Sequence, residues 1–127
     1  MLKVYPAIFS QDEREGFYIQ FPDIKGTGTQ GQSLIDGLEM ASDYLGIMLV
    51  DYIEHDVPLP KPSAIKEIKT VGNEFPTLIT VDLTDYLKDS KMDRTNITIP
   101  HWLKVRAEKQ GLNISKITTN ALLEKLS

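Results

Sequence analysis

The stretch FPDIKGTGTQGQSLIDGLEMASDYL, residues 21–45, decides how the first part of this chain folds. It runs from the end of a strand through glycine-rich turns into a long helix. Ser33 occupies an N-cap position, with Asp36 three residues later in the manner of a capping box. Apolar residues then recur every three or four positions, which predicts one buried helix face extending to about His55. The residues of this predicted face are Leu34, Leu38, Ala41, Leu45, Met48, Leu49 and Tyr52.

Two glycines interrupt the predicted helix. Gly37 and Gly46 each lower its intrinsic propensity by about 1 kcal/mol relative to alanine. Either packing compensates for this loss, or the glycines allow the helix to approach a sheet closely.

Strands are predicted on both sides of this segment. β-rich or alternating runs predict strands at residues 2–9, 17–21, 27–30 and 77–83. A proline at every second position makes residues 57–63 an extended surface segment. Residues 1–87 therefore predict an α+β domain of order β-β-β-α-β, in which one amphipathic helix covers a mostly antiparallel sheet.

A second module follows a polar linker, residues 88–93. The run RTNITIP, residues 94–100, alternates polar and apolar side chains and ends at a proline. A helix at 101–111 is predicted to end at Gly111, and Asn113 is a suitable N-cap for a second helix. The candidate buried positions of these helices are Trp102, Leu103, Ala107, Ile117, Ala121, Leu122 and Leu126.

This second module is too small to fold around a core of its own. Residues 94–127 predict one strand and two helices, and a lone strand leaves backbone donors and acceptors unpaired. A second copy solves both problems, because two strands can pair antiparallel about a two-fold axis over a shared core containing Ile97 and Ile99. Arg94, Asn96 and Thr98 would then lie on the open face of a two-stranded ribbon, which fits the DNA major groove.

Composition restricts the class of protein. The chain has 127 residues, 41% of them hydrophobic, and no cysteine, which excludes disulfides and thiolate metal sites. No apolar run is long enough to span a membrane and no signal peptide is recognisable, so we expect a cytoplasmic protein. Charge is divided unevenly: residues 1–90 hold 15 acidic and 7 basic residues, whereas residues 91–127 hold 3 and 7. This split suggests a cationic partner for the body and a polyanion for the tail.

The tail resembles the ribbon-helix-helix modules of small dimeric bacterial repressors. The resemblance covers residues 93–127 and lies in RTNITIPHWL and GLNISKITTNALLEKL. It implies that Arg94, Asn96 and Thr98 read bases. It also implies that the start of the second helix holds a phosphate, through Asn113, Ser115 and Lys116. The alternative is an edge strand that packs on the first domain with its polar face in water.

The first domain is similar to HicB antitoxins over about residues 1–87. The positions in register are Phe21, Pro22, Asp23, Gly26, Thr29, Gln30, Gly31, Leu34 and Ala41. Gly37 departs from the pattern where an acidic residue is usual, and Thr27 stands where many members carry cysteine. The likeness implies a partial RNase H-like fold without a catalytic centre. It also implies a type II antitoxin that occludes a small basic HicA-type toxin, an mRNA-cleaving ribonuclease, and represses its own operon.

The residues themselves predict no enzyme, no metal site and no cofactor. Charge makes the acidic turn, Asp12, Glu13 and Glu15, together with Asp23, the candidate toxin contacts. A nuclease would need such carboxylates gathered around divalent ions, but three of these lie in a solvated turn. Asp23 is expected to stabilise its own turn through an Asx-type bond.

The two histidines are not predicted to be catalytic or to bind a metal. His55 ends a helix and His101 opens one, each without a partner nearby in sequence.

The expected assembly is a homodimer on operator DNA, which could pair into a tetramer. A ligand-sensing ribbon-helix-helix repressor and a residual metal-dependent nuclease are the alternative functions.

Overall fold

The computed structural model describes residues 1–87 and 93–126, which form two compact units. The first unit begins at Leu2 and includes the residues up to 87. The second includes residues 93–126. The predicted linker, residues 88–93, lies outside the described residues except for Asp93.

The first unit is an antiparallel sheet with one long helix. Its order is β-β-β-α-β, as predicted, and neighbouring strands are antiparallel in the order β3-β2-β1-β4. Short 3-10 turns precede β4 and follow it, at Ile65–Glu67 and Leu83–Tyr86. The elements are β1 (Leu2–Gln11), β2 (Phe17–Gln20), β3 (Thr29–Gly31), α1 (Leu34–Glu54) and β4 (Glu74–Asp82).

Strand boundaries differ from the predictions at both ends of β3 and β4, and β1 and β2 end at Gln11 and Gln20 rather than at residues 9 and 21. β3 begins at Thr29 rather than at residue 27, because Gly28 has a φ of 78° and cannot continue a strand in that conformation. β4 begins three residues earlier than predicted, at Glu74, because it pairs along β1 as far as Ser10. Tertiary pairing therefore extends this strand beyond its strongest β-forming residues.

The core of the first unit lies between α1 and one face of the sheet. Cross-strand pairing places Phe9 opposite Ile19 on one side and Phe75 on the other. The rings of Phe9, Phe17 and Phe75 lie 5.4–5.9 Å apart, an aromatic cluster at one end of this core. Strand alternation supplies the rest, since Tyr5, Ala7 and Phe9 of β1 are all buried.

The prediction of which α1 residues face the sheet is partly wrong. Leu34 and Leu38 are exposed, at 50% and 39%, and Met48 and Tyr52 are only half-buried. The buried α1 residues are Gly37, Ala41, Leu45, Gly46, Leu49 and Val50.

The two helix glycines explain this rotation of the buried face. A Cβ atom on Gly37 would lie 3.2 Å from the Phe9 ring and 3.4 Å from the Ile19 side chain. A Cβ on Gly46 would lie 2.6 Å from two ring carbons of Tyr86. Gly37 therefore allows the predicted close approach to the sheet, whereas Gly46 makes room for the Tyr86 ring in the 3-10 turn that follows β4.

The start of α1 follows the predicted cap with one difference. Ser33 Oγ accepts a hydrogen bond from the Asp36 amide at 3.1 Å, which confirms the N-cap. The Asp36 carboxylate accepts from the Gln32 amide at 2.7 Å, one residue before the position that a capping box uses. Both bonds satisfy amides at the entrance to the helix.

The second unit contains the two predicted helices, α2 (His101–Lys109) and α3 (Ile114–Leu126). Gly111, with a φ of 68°, closes α2: its amide donates to Glu108 and the Leu112 amide donates to Ala107, both at 3.0 Å. Asn113 Oδ1 accepts from the Lys116 amide at 3.0 Å and caps α3. The strand predicted at residues 94–100 is not observed, because residues 93–100 carry neither helix nor strand.

The candidate core positions of the second unit are not buried in the single chain. Neither α2 nor α3 contains a buried residue, and Trp102 is 60% exposed. Leu103, Ile117, Leu122 and Leu126 are between 41% and 74% exposed. The physical reason is size, because two short helices and an extended segment cannot enclose apolar side chains. None of the described helices combines the length and apolar character needed to cross a bilayer.

Candidate functional site

The predicted base-reading residues lie on an exposed segment before α2. Arg94, Asn96 and Thr98 are exposed, Ile97 is 49% exposed and Ile99 is half-buried. The four strands of the first unit's sheet come from residues 2–82, and residues 94–100 are assigned no strand.

The predicted phosphate-binding residues lie at the start of α3. Asn113 uses its side-chain oxygen for the cap, so it positions the helix terminus. The Ser115 carbonyl accepts from the Thr119 hydroxyl at 2.9 Å, while the Ser115 and Lys116 side chains are exposed. The N-terminal end of α3 also has no acidic residue in its first turn, which suits an anion.

The acidic turn is a defined loop between β1 and β2. The Asp12 carboxylate accepts from the Arg14 and Gly16 amides, both at 2.8 Å. Glu15 takes a positive φ of 66°, and both Glu13 and Glu15 are exposed. Asp12 is therefore engaged in shaping the turn, whereas Glu13 and Glu15 are available at the surface.

Asp23 has a different role from the one predicted. Its carboxylate accepts from the Ser63 amide at 2.9 Å and from the Ser63 hydroxyl at 2.5 Å. The expected Asx-type bond within its own turn is wrong, because these donors are 40 residues away. Asp23 instead fixes the proline-rich segment 57–63, which the Tyr5 hydroxyl also holds by donating to the Pro60 carbonyl.

The pKa of Tyr5 reflects its position next to Asp23 and the proline-rich segment. Burial raises the pKa of Tyr5, and the nearby charge of Asp23 and then Tyr52 raises it further. The phenol therefore stays protonated and serves as a donor. It links β1 to the segment that follows α1.

The four candidate carboxylates do not form one site. Asp12, Glu13 and Glu15 precede β2, whereas Asp23 follows it. Over residues 1–87 and 93–126, no group of three or more acidic or histidine side chains is arranged to hold a metal ion. This arrangement gives no support to the nuclease alternative, which needs carboxylates around divalent ions.

One histidine lies at the C-terminal end of a helix and the other at the N-terminal end of a helix. His55 caps the C-terminus of α1, with Nδ1 2.8 Å from the Asp51 carbonyl oxygen and 3.3 Å from its carboxylate. These contacts raise the pKa of His55, first through the backbone hydrogen bond and then through the charge of Asp51. His101 is the first residue of α2.

Sequence reasoning missed the outward face of α1. This helix carries five carboxylates and no lysine or arginine, and several of its apolar side chains are exposed. The exposed apolar residues of α1 are Leu34 (50%), Ile35 (73%), Leu38 (39%), Met40 (40%) and Ile47 (55%). The absence of basic residues from 34–54 is a signal that could have directed attention to this helix.

Comparisons with known proteins find a family that matches nearly the whole chain and relatives that match all or part of it. A family described as "HicB_like antitoxin of bacterial toxin-antitoxin system" matches residues 5–126. An uncharacterised 14.9 kDa protein of Haemophilus phage HP1 is 26% identical, over 94% of this chain and 98% of that protein. Antitoxin HicB 1 of Photorhabdus laumondii is 38% identical over 60 residues, 46% of this chain and 39% of that protein.

Two solved structures resemble the chain over nearly its whole length. A chain of a toxin–antitoxin complex from Streptococcus pneumoniae is 32% identical with a TM-score of 0.65, covering 98% of this chain and 99% of that one. The Burkholderia pseudomallei antitoxin HicB, at 21% identity and a TM-score of 0.64, shows the same fold over the same shares of the two chains.

Proposed function

Because this chain belongs to the HicB-like antitoxin family of bacterial toxin–antitoxin systems, we propose that it binds and occludes a HicA-type ribonuclease toxin and represses its own operon. The family match over residues 5–126 is the observation that carries this proposal. Antitoxins of this family are typically non-enzymatic, which confirms the expectation that the chain is not an enzyme. The site of action is the bacterial cytoplasm, where mRNA and operator DNA are found.

Neutralisation is assigned to the first unit. An acidic body that meets a small basic ribonuclease would cover the cationic surface that binds RNA. Opposite charges speed association more than they deepen affinity, so a tight complex also needs apolar contacts. The relative from Streptococcus pneumoniae was solved as a toxin–antitoxin complex, which supports a toxin as the partner here.

Repression is assigned to a dimer of the second unit. Exposed apolar residues on α2 and α3, and a segment at 94–99 that carries neither helix nor strand, are what half of a ribbon-helix-helix dimer would present. In the dimer Ile97 and Ile99 face the shared core, and Arg94, Asn96 and Thr98 face the major groove. No acidic residue occurs in 94–107, which favours approach to DNA.

The two activities would be linked through one assembly. Dimerisation attaches two toxin-binding bodies to one operator, and pairs of dimers could form a tetramer. Repression would then depend on antitoxin concentration and on the ratio of toxin to antitoxin. The ligand-sensing alternative stays a prediction, because no observation on the described residues specifically favours a small-molecule ligand.

The decisive experiment searches the genes beside this one for a small basic reading frame and mixes its product with this chain. We expect a stable complex by size-exclusion chromatography with light scattering, and loss of the toxin's RNA cleavage at equimolar antitoxin. An unrelated ribonuclease treated with the same antitoxin is the control and should stay active. Unimpeded cleavage by the neighbouring protein would refute the antitoxin assignment for this pair.

A further inference from the structure

The outward face of α1 carries one continuous row of side chains. Its members recur at intervals of four and three residues, so they lie along one side of a helix about 30 Å long. They point away from the face that packs on the sheet, which centres on Ala41 and Leu45. We call this row the outer stripe; its members are Asp36, Met40, Asp43, Ile47, Asp51 and Glu54.

The outer stripe contains apolar surface that the fold does not use. Met40 is 40% exposed and Ile47 is 55% exposed, each flanked along the stripe by carboxylates. An exposed β-branched residue also contributes little to helix propensity. Apolar side chains set among charged ones are typical of the centre and rim of a protein interface.

The negative charge of α1 is not neutralised by any lysine or arginine of the same helix. Like charges stand three or four residues apart at Asp36 and Glu39, at Glu39 and Asp43, and at Asp51 and Glu54, spacings that are mildly destabilising. In the described parts of the chain, the ion pair formed by an α1 carboxylate is that of Asp51 with His55 at 3.3 Å. Cations from a partner would relieve this repulsion.

We propose that the outer stripe is the toxin-docking surface, received by a partner surface in which lysine or arginine side chains surround an apolar contact. This inference rests on the proposed function, since it specifies where the antitoxin holds its toxin. Charge complementarity selects the occupant: a face with four carboxylates and no base favours a cationic protein. It replaces the acidic turn as the principal candidate surface.

Other occupants fit this face less well. A second copy of the chain in a symmetric contact would bring two acidic stripes together, and DNA would meet carboxylates. The acidic turn is a weaker platform, because Glu13 and Glu15 lie in a loop between two strands and Glu15 has a positive φ of 66°. A helix packed on a sheet positions its contacts more firmly than a loop does.

The test places one positive charge at the centre of the stripe. Ile47→Arg is compared with Val71→Arg, which changes another exposed β-branched residue, 75% exposed, in the loop before β4. The probe is the purified HicA-type toxin identified by the experiment above, in a form inactive towards RNA, with affinity measured by surface plasmon resonance. We expect Ile47→Arg to weaken binding about 100-fold, mainly through faster dissociation, and Val71→Arg to stay within about twofold.

Folding and the second activity serve as internal controls. Both variants should keep the wild-type melting temperature and operator affinity, because residue 47 is exposed and lies outside the second unit. A companion variant, Glu54→Gln, keeps side-chain size and should slow association and reduce its salt dependence. Unchanged association kinetics and salt dependence for Glu54→Gln would remove the electrostatic part of the inference.

The outcomes separate this inference from the function on which it rests. Wild-type toxin affinity in Ile47→Arg, with toxin inhibition by the unmodified chain intact, overturns the outer stripe and leaves the antitoxin function standing. A change in the self-association of free Ile47→Arg in analytical ultracentrifugation, with toxin affinity unchanged, identifies a contact between copies and also overturns it. Failure of the unmodified chain to bind the toxin defeats the proposed function itself.

Discussion

Gly31 shows how one residue can decide whether a helix reaches its sheet. A Cβ atom at this position of β3 would lie 2.4 Å from the Gly37 Cα and 2.5 Å from its amide nitrogen. These are backbone atoms, so they cannot rotate away as a side chain can. The pair of glycines therefore sets the distance between β3 and the first turns of α1.

Gly31→Ala is expected to destabilise the first unit by about 1–3 kcal/mol, because the added methyl forces α1 away from the sheet. The measurement is urea unfolding followed by circular dichroism. Gln30→Ala, at the exposed neighbouring position of β3, is the control and should change stability by less than about 0.5 kcal/mol. Equal stability of the two variants would show that the helix can shift without cost.

Arg94→Ala is expected to weaken operator binding about tenfold or more, because a guanidinium in the major groove contributes about 1–3 kcal/mol of base discrimination. Fluorescence anisotropy at fixed salt measures the affinity, and light scattering should show an unchanged dimer. Lys125→Ala removes an equal charge near the end of α3 and should have a much smaller effect. Unchanged affinity in Arg94→Ala would remove this residue from the DNA interface.

His55 is expected to titrate above its ordinary pKa of 6.5, because the Asp51 carbonyl and carboxylate favour the protonated ring. Since the folded-state pKa is raised, the stabilisation is fully present below the unfolded pKa and is lost as pH rises through the folded pKa. Two-dimensional NMR measures the titration directly. Asp51→Asn should lower the value, and a ring that titrates at 6.5 or below in the unmodified protein would contradict the contact.

At the scale of elements, one side chain of β1 and one just after β2 hold the proline-rich segment, residues 57–63, in place. Asp23, just after β2, binds Ser63 through two hydrogen bonds, and Tyr5 of β1 binds the Pro60 carbonyl. Prolines already restrict the unfolded segment, so few contacts are needed to order it. The segment thereby connects the end of α1 to β4 along a defined path.

Asp23→Ala is expected to lower the free energy of unfolding by about 1–3 kcal/mol, because it leaves the partly buried Ser63 donors without their acceptor. Urea unfolding measures the loss, and limited proteolysis should show faster cleavage within residues 57–63. Glu13→Ala, at an exposed turn position, should alter neither. A segment that remains protected in Asp23→Ala would show that its prolines and Tyr5 suffice.

At the scale of the whole molecule, a single chain forms a buried core in the first unit but not in the second. The first unit buries an aromatic and aliphatic core, whereas α2 and α3 bury no residue. A unit with that much exposed apolar surface is expected to gain its stability by association, so its stability should depend on protein concentration.

Ile97→Asp is expected to convert the dimer to a monomer and abolish operator binding, because it places a charge in the proposed shared core. Asn96→Asp introduces the same aspartate one residue away on the opposite side of the strand. It should lose DNA binding while remaining a dimer. Analytical ultracentrifugation and anisotropy separate the two effects. A dimeric Ile97→Asp would refute pairing through this segment.

The features that the sequence predicts most accurately are those that depend on neighbouring residues. Ser33, Gly111 and Asn113 are predicted at helix ends, and each makes the expected short-range hydrogen bonds. The β-β-β-α-β order followed in the same way from local hydrophobic periodicity. The contacts of Asp23 could not be predicted, because its partner is 40 residues distant and no local pattern encodes that separation.

The sequence by itself therefore determined the strands and helix of the first unit, the two helices of the second, their caps and the uneven division of charge, because propensity, periodicity and local hydrogen bonding act over a few residues. The tertiary structure alone decided which side of α1 packs inward. Gly37 and Gly46 face their neighbours because close packing favours positions without a Cβ atom, although periodicity favoured Leu34 and Leu38. Four of the five α1 carboxylates lie with Met40 and Ile47 on the outer stripe, because a helix packed on one side presents the other to solvent.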